Sequence, residues 1–158
     1  ATETEISERK LRVEDAINSA RAAVQEGIIA GGGSVLVQIA QELRSYADEF
    51  SGDTQVGVLA LAKALVKPTF WIAENAGVDG SVVVSRVADL KNGFGFNAAT
   101  LGYDDLLAAG IIDPVKVTHS AVVNATSVAR MVLTTEASVV DKPQPPAPPA
   151  PGGHGHHH

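Results

Sequence analysis

The helical spacing of small aliphatic side chains is the feature that most limits what this chain can fold into. Val13, Ile17, Ala20 and Val24 recur at i, i+4, i+7 and i+11, which places them on one stripe of a helix. Hydrophobic residues make up 45% of the chain, but aromatic residues make up only 4%. The core therefore has to be built from Ala, Val, Leu and Ile in periodic runs, which favour packed helices. We expect a mainly α protein with several helices.

Caps and breakers divide the body of the chain into separate helices. Gly27 marks the end of the first helix, and Ser34 is a good N-cap for the second. Pro68 should kink or split the third, whereas Asp113 followed by Pro114 is a strong start for the last. The predicted helices cover about residues 7–26, 34–46, 54–76 and 79–90, with a brief one from Asp104 to Gly110 and a long one from Asp113.

Two short segments depart from the helical pattern. Phe94 and Phe96 alternate with Gly95, which predicts a short hairpin or an extended loop. Residues 137–141 combine Val with small polar residues and predict a short strand. No partner strand is evident nearby, so we expect this edge strand to pair with a segment outside the sequence or with a neighbouring subunit.

The last part of the chain reads as an extended, solvated tail. Six of the eight prolines lie within residues 143–151, where they prevent a helix and remove the donors that a sheet needs. The tail ends in dense imidazoles, which could bind zinc, nickel or copper ions; an expression tag and a truncated natural low-complexity tail are the alternatives. The candidate metal ligands are His154, His156, His157 and His158.

Composition excludes several classes of function. The chain has no cysteine, which removes disulfides, thiolate metal sites and cysteine nucleophiles, and which fits a cytoplasmic protein. A formal net charge of −6 argues against a nucleic-acid partner. No apolar run approaches the length of a membrane span, and the N-terminus is not a signal peptide, so we expect no membrane partner. The absence of an initiating Met fits a processed chain or an excised piece.

Gly31, Gly32 and Gly33 form the first candidate site. Glycine permits close backbone approach, and a helix that begins at Ser34 would present free N–H groups to an anion or to the polar edge of a ligand. The commoner explanation of such a run is a tight turn between two helices. It is not a Walker A loop, because no Gly-Lys-Ser/Thr follows, and no predicted strand precedes it as in a dinucleotide fingerprint.

Three polar side chains provide further candidates. Asp15 lies about 200° around its helix from Val13, at roughly 100° per residue, and faces away from the apolar stripe. Such a carboxylate could orient an attacking water, although an exposed ion pair with Arg12 is the simpler explanation. Asn97 could pair with the edge of a base, and Asp113 could accept hydrogen bonds from ribose hydroxyls. A loop Asn and a helix N-cap are the commoner explanations of these two residues.

The order of these motifs is more specific than any one of them. Residues 13–16 (Val-Glu-Asp-Ala) and 26–33 (Glu-Gly-Ile-Ile-Ala-Gly-Gly-Gly) resemble the passage from the intermediate to the equatorial domain of group I chaperonins, the GroEL family. The resemblance continues through residues 94–100, 110–118 and 132–136, and it covers nearly all of residues 1–142. It implies the C-terminal half of an equatorial domain, with a short hairpin or edge strand and a disordered tail.

The resemblance also implies an ATP site and assigns residues to it. Asp15 matches the catalytic aspartate that positions the water attacking the γ-phosphate, whereas Mg would be held mainly by the N-terminal part of the family. The remaining matches form the side of the pocket that holds adenine and ribose. They are Gly32, Asn97, Ala98, Ala99, Ile111 and Asp113.

Two departures from the family pattern bear on activity. The tail lacks the usual Gly-Gly-Met repeats and resembles that of His-tailed actinobacterial paralogues. The family's Gly-Asp-Gly-Thr-Thr-Thr phosphate loop, second acidic metal residue and apical domain are not among these 158 residues. We therefore expect no ATP hydrolysis by this chain alone, and the resemblance places clients and co-chaperonin on the apical domain, with homo-oligomeric rings.

Three functional hypotheses remain open at the level of sequence. The first is a chaperonin portion with an intermediate-domain segment at 1–26, an equatorial part at 27–142 and a flexible tail at 143–158. The second is a metal-binding protein that acts through its His tail. The third is a helical interaction module with no ligand.

Overall fold

The computed structural model describes residues 2–142. In that range the chain forms six helices and four short strands, so the expectation of a mainly α fold is confirmed. The helices are α1 (Glu3–Glu26), α2 (Ser34–Ala47), α3 (Gly52–Leu65), α4 (Lys67–Asn75), α5 (Gly80–Ala88) and α6 (Val115–Thr134). The strands are β1 (Ile28–Ala30), β2 (Phe94–Asn97), β3 (Gly102–Asp105) and β4 (Ile112–Pro114).

The hydrophobic core lies around α2. One face of α2 supplies Val37, which packs with Ala73 of α4, with two valines of α5 and with Phe96 of β2. Ala40, about one turn further along α2, packs with Ala62 and Leu65 of α3. Three of these contacts use alanines that have no exposed surface, and small side chains let helix axes approach closely. The core therefore consists mainly of small aliphatic side chains between closely packed helices, as the low aromatic content predicted.

Several predicted boundaries agree with the structure. The third predicted helix is split into α3 and α4 at Val66, next to Pro68, because proline lacks the N–H that would continue the helical ladder. Asp79 caps α5, since its carboxylate accepts from the backbone N–H groups of Ser81 and Val82. The predicted hairpin is also present: β2 pairs antiparallel with β3, with Phe96 opposite Tyr103.

Other boundaries were wrong, and the reason is pairing between distant residues. Asp104 does not start a helix but lies in β3, opposite Gly95. The last helix begins at Val115, where the sequence predicted a start, but Pro114 is its N-cap and Asp113 makes no cap; both residues belong to β4, which pairs antiparallel with β1. The predicted strand at 137–141 is absent from the described residues, where Val139 is fully exposed.

The apolar stripes of the two long helices are not buried by the described residues. On α1, only Ala22 is buried, whereas Val13 and Val24 are 58% and 88% exposed. On α6, no residue is buried, and Leu133 is 86% exposed. Both segments are helical, as the spacing of their apolar residues predicted, but the rest of residues 2–142 does not cover their apolar faces.

One stretch departs from the expectation about membrane-length runs. Helices α3 and α4 together span Gly52–Asn75, which is long and apolar enough to cross a membrane by length and composition alone. Within it Ala62, Leu65 and Ala73 are buried in the core around α2. A single such stretch is weak evidence for a span, because helices of water-soluble proteins pass the same test.

Candidate functional site

The three-glycine loop joins β1 to α2, so a short strand precedes it where the sequence analysis predicted none. Gly31 donates from its backbone N–H to the carbonyl oxygen of Ile111 at 2.9 Å. A Cβ at Gly31 would lie 3.2 Å from the carbonyl carbon and oxygen of Ile111, closer than ordinary van der Waals contact. The loop therefore lies directly against the segment that leads into β4.

The same loop contacts the end of the hairpin on its other side. Gly32 has a φ of 64°, and a Cβ there would lie 3.6 Å from the carbonyl oxygen of Phe96. The carbonyl of Gly32 accepts from the Thr69 hydroxyl at 2.9 Å, and the carbonyl of Gly31 accepts from the Ser34 hydroxyl at 2.9 Å. These bonds fix the path of the loop between β2, α4 and β4.

Ser34 does not cap α2 as predicted. It is the first helical residue, and its hydroxyl donates to Gly31 instead of accepting from a helix N–H. Gly33 occupies the N-cap position in the left-handed region, with no side-chain cap. The Ser34 N–H donates to the Gly31 carbonyl at 3.2 Å, and within residues 2–142 no side chain caps the start of α2.

The Asn97 amide holds the hairpin loop together. Asn97 is 8% exposed; its Nδ2 donates to Asp104 Oδ2 at 3.0 Å, and its Oδ1 accepts from the Ala99 N–H at 3.0 Å. One amide N–H and one carbonyl lone pair remain, since an Asn side chain offers two of each. Ala98 and Ala99 themselves are exposed, so small side chains border the loop on its outer surface.

Asp113 is a half-buried carboxylate on the central residue of β4, opposite Ile29 of β1. Burial raises the pKa of the Asp113 carboxyl above its usual range. Among residues 2–142 its carboxylate accepts no hydrogen bond, so its acceptor oxygens are available to an added donor. Ile111, two residues earlier, is also half-buried, and its N–H donates to the Leu106 carbonyl at 2.8 Å.

The structure brings most of the predicted positions together around one loop. Gly32 adjoins the β2 residue that precedes Asn97, and Gly31 adjoins Ile111, which leads into the strand that carries Asp113. Asp15 is not among them. It is exposed on α1, at a distance of about 18 Å along the helix from Gly27 at roughly 1.5 Å per residue.

The ion pair expected between Arg12 and Asp15 is not formed. Arg12 lies 3.8 Å from Glu8 instead, and Lys10 lies 3.7 Å from Glu14. Both pairs have the i,i+4 spacing that places side chains over one another on a helix. In the described part of the chain Asp15 is therefore an exposed carboxylate with no cationic partner.

Two residues of this region were missed by the sequence analysis. Thr69 anchors the glycine loop from α4, and Asp104 anchors Asn97 from β3. Alternation along the hairpin could have placed Asp104 beside the loop. No local signal links Thr69 to Gly32, which lies 37 residues away.

The metal hypothesis lies outside the described residues. His154, His156, His157 and His158 belong to 143–158, and metal binding there stays a prediction. Within residues 2–142 no group of three or more His, Asp or Glu side chains is arranged to hold a metal ion.

We expect Asp113→Asn to stabilise the protein at neutral pH, by less than about 1 kcal/mol because the carboxyl is only half-buried. The folded state keeps the Asp113 proton to higher pH than the unfolded state does, because burial raises the pKa of this carboxyl. The contribution of the Asp113 carboxyl to the free energy of unfolding therefore falls as pH rises from its unfolded pKa through its raised folded pKa. Urea denaturation of the variant and of the unsubstituted protein between about pH 3 and pH 7 measures the difference in their free energies of unfolding.

The gain from Asp113→Asn should vanish below the unfolded pKa of the carboxyl. Asp141→Asn is a matched control, because Asp141 is an exposed aspartate outside the helices and strands. An equal gain for both variants at neutral pH would attribute the effect to net charge and contradict the role of burial.

Comparison with known proteins identifies the family. Residues 1–143 match the family model described as the TCP-1/cpn60 chaperonin family. A protein named Chaperonin GroEL 1 of Corynebacterium diphtheriae is 76% identical over 146 residues, which are 92% of this chain and 27% of that protein. Chaperonin GroEL 1 of Corynebacterium efficiens is 72% identical over 158 residues, which are 100% of this chain and 29% of that protein.

The similarity extends beyond that genus. Chaperonin GroEL 1 of Mycobacterium ulcerans is 59% identical over 157 residues, which are 99% of this chain and 29% of that protein. The chain thus spans less than a third of the length of each of these relatives. The family match covers every element from α1 to α6, including the glycine loop and the hairpin. The chain belongs to the TCP-1/cpn60 chaperonin family.

Proposed function

We propose that this chain is the C-terminal portion of an ATP-dependent protein-folding chaperonin and forms the adenine and ribose side of the ATP site. The observation that supports this most strongly is the position of the loop 31–33, which contacts both the end of β2 and the segment leading into β4. Two distant parts of the sequence thereby border one short backbone segment, as a pocket shared by Asn97, Ile111 and Asp113 would require.

Each residue in the proposed pocket has a chemical role that its environment allows. Gly32 offers backbone without a side chain, and Ala98 and Ala99 add little bulk. Ile111 supplies an apolar contact to the base. Asp113 has free acceptor oxygens for ribose hydroxyls, and binding such donors would relieve the burial of an unpaired carboxylate.

The amide of Asn97 has a narrower role than a full base-edge contact. Its bonds to Asp104 and Ala99 leave one N–H and one lone pair for a ligand. Its main proposed contribution is to hold the exposed Ala98–Ala99 turn in place beside the base.

The phosphate and metal side of the proposed site lies elsewhere in the polypeptide. The sequence contains no Gly-Asp-Gly-Thr-Thr-Thr loop, and residues 2–142 hold no cluster of three metal-binding side chains. Mg would therefore be held mainly by residues beyond these 158, where it would offset phosphate charge. Asp15 would position the attacking water once closure of the 1–26 segment brings it toward the nucleotide.

The proposed boundary between the first two domain segments lies at Gly27. Residues 1–26 would be the intermediate-domain segment, 27–142 the equatorial part and 143–158 a flexible tail. In support, α1 ends at Glu26 and Gly27 follows with a φ of 87°. The complete protein would act in the cytoplasm as homo-oligomeric rings, with unfolded clients and a co-chaperonin bound by its apical domain.

Binding of ADP to a full-length polypeptide that carries this segment tests the proposal, because ADP separates binding from hydrolysis. We expect Asp113→Ala to weaken ADP binding about tenfold, the loss of roughly one hydrogen bond to a charged group. Isothermal titration calorimetry gives the dissociation constant.

Asp105→Ala is the matched control, since Asp105 is an exposed aspartate of β3 that accepts from the Ala108 N–H. Unchanged ADP affinity in Asp113→Ala, with the fold intact by circular dichroism, would favour a helical interaction module without a nucleotide.

A further inference from the structure

A separate cleft lies between α2, the junction of α3 with α4, and α5, away from the glycine loop. Its cavity volume is about 360 Å³, within the range of small-molecule pockets. The cleft is open to solvent, and none of the proposed nucleotide-binding residues lines it. Its exposed rim carries three cationic side chains: Arg44, Lys63 and Lys67.

These cations have no acidic partners in the described part of the chain. Arg44 donates to Gln41 Oε1 at 3.0 Å, and Lys67 lies 4.6 Å from the centroid of the Phe70 ring. No carboxylate lies within 4.0 Å of Arg44, Lys63 or Lys67 among residues 2–142. Asp89 is the one acidic residue of the lining, so the lining is cationic on a chain whose formal net charge is −6.

Helix dipoles account for two of the cations but not for the third. Arg44 lies in the last turn of α2 and Lys63 in the last turn of α3, where the partial negative charge of a helix end stabilises a cation. Lys67 is the first residue of α4, where the dipole disfavours a cation. It also follows Lys63 by four residues, across the break at Val66. A bound anion would offset the unfavourable position of Lys67 at the start of α4.

The floor of the cleft differs in chemistry from its rim. Val66, Val84 and Ala88 are half-buried and line the interior, and Val37 closes it. Ser81 and Ser85 add exposed hydroxyl donors on the α5 side. A ligand suited to this surface has an anionic group at the rim and a small apolar body below it.

We propose that this cleft binds small organic anions in which an apolar body carries a phosphate or carboxylate group. The anionic group lies among Arg44, Lys63 and Lys67, and the apolar body packs on the valines of the floor. This binding is distinct from that of the nucleotide at the glycine loop, and neither depends on the other.

Titration of the 158-residue chain with phenyl phosphate tests the proposal, followed by backbone amide shifts in NMR spectra. We expect shifts at Phe70, Ser81 and Ser85, with a dissociation constant of about 1 mM. Inorganic phosphate lacks the apolar body and phenol lacks the charge, so each should bind at least about fivefold more weakly. Raising the salt from about 20 mM to about 300 mM should weaken binding several-fold.

Charge reversal identifies the cations that bind. Lys67→Glu should weaken phenyl phosphate binding about tenfold, as expected for reversing one charge near the ligand in a solvated cleft. Lys10→Glu is the control, because it makes the same change of charge on the exposed surface of α1. Circular dichroism checks that both variants keep their helices.

Four results would overturn the proposal. They are the absence of shifts at about 10 mM phenyl phosphate, equal binding of phenol, equal binding of inorganic phosphate, and equal loss in the two variants. Shifts confined to Gly32 and Asn97 would place the ligand at the glycine loop and would also overturn it.

Discussion

Replacing Gly33 by alanine is expected to destabilise the protein by about 3 kcal/mol. Gly33 has a φ of 73°, which costs an L residue about 1 kcal/mol. The new Cβ would lie 2.7 Å from Thr69 Oγ1 and 3.1 Å from both Pro68 Cβ and the Thr69 backbone nitrogen. Thr69 is 1% exposed and its hydroxyl is bonded to Gly32, so it has no room to move away. Thermal unfolding should show a drop of about 10 °C.

Two other glycines separate the causes of this effect. Gly52 has a φ of 63° with nothing within 4 Å of its Cβ position, so Gly52→Ala should cost only about 1 kcal/mol. Gly57 lies inside α3 with open space around it, so Gly57→Ala should stabilise the helix by about 0.5–1 kcal/mol. An equal loss of stability in Gly33→Ala and Gly52→Ala would show that the close approach of the new Cβ to Thr69 does not destabilise the protein.

Replacing Asp15 by alanine in a full-length polypeptide that carries this segment is expected to lower the rate of ATP hydrolysis by about 100-fold or more. The proposed role of Asp15 is to orient the attacking water, which affects the chemical step and not the binding of nucleotide. ADP affinity should therefore change less than about twofold. The 158-residue chain alone should hydrolyse no ATP, because the phosphate loop is absent from its sequence. Single-turnover kinetics measures the chemical step separately from product release.

Glu14→Ala provides the matched control for Asp15→Ala. Glu14 is the neighbouring exposed carboxylate on α1, and it makes an exposed ion pair with Lys10 that contributes little to stability. Equal losses of activity in the two variants would show that charge on α1 matters, but not the position of Asp15. Steady ATP hydrolysis by the 158-residue chain, abolished by Asp15→Ala, would contradict the view that the catalytic site is divided.

Local chemistry predicted the parts of the fold that local chemistry controls. The break at Pro68, the start of α5 after Asp79 and the hairpin around Gly95 follow from residues within a few positions of one another. The pairing of β1 with β4 could not be predicted this way. Each strand has three residues, and more than eighty residues separate Ile29 from Asp113. At Asp113, this distant pairing places the residue in a strand, and the helix that the local signal predicted begins two residues later, at Val115.

The candidate site shows the same limit. Spacing alone favoured a turn at Gly32, a loop position for Asn97 and a helix cap at Asp113. Only the resemblance to a family assigned these residues to one pocket, and the structure places the backbone segments that carry them around the glycine loop. Periodicity also could not indicate what covers the apolar stripes of α1 and α6, because a repeat specifies which face is apolar but not the residues that pack on it.

The end of α1 has a mechanical consequence. Gly27 follows a helix of 24 residues, and its backbone is held on both sides: its N–H donates to the Ala23 carbonyl at 2.8 Å, and its carbonyl accepts from the Val115 N–H at 3.1 Å. If the proposed closure of the 1–26 segment bends the chain at Gly27, the bond to Val115 would have to change and the helix would turn as a unit. A rotation of about 20° there would carry Asp15 through about 6 Å, given an arm of roughly 18 Å. A small change of torsion at one residue would thus move the Asp15 carboxylate by several ångströms relative to a bound phosphate.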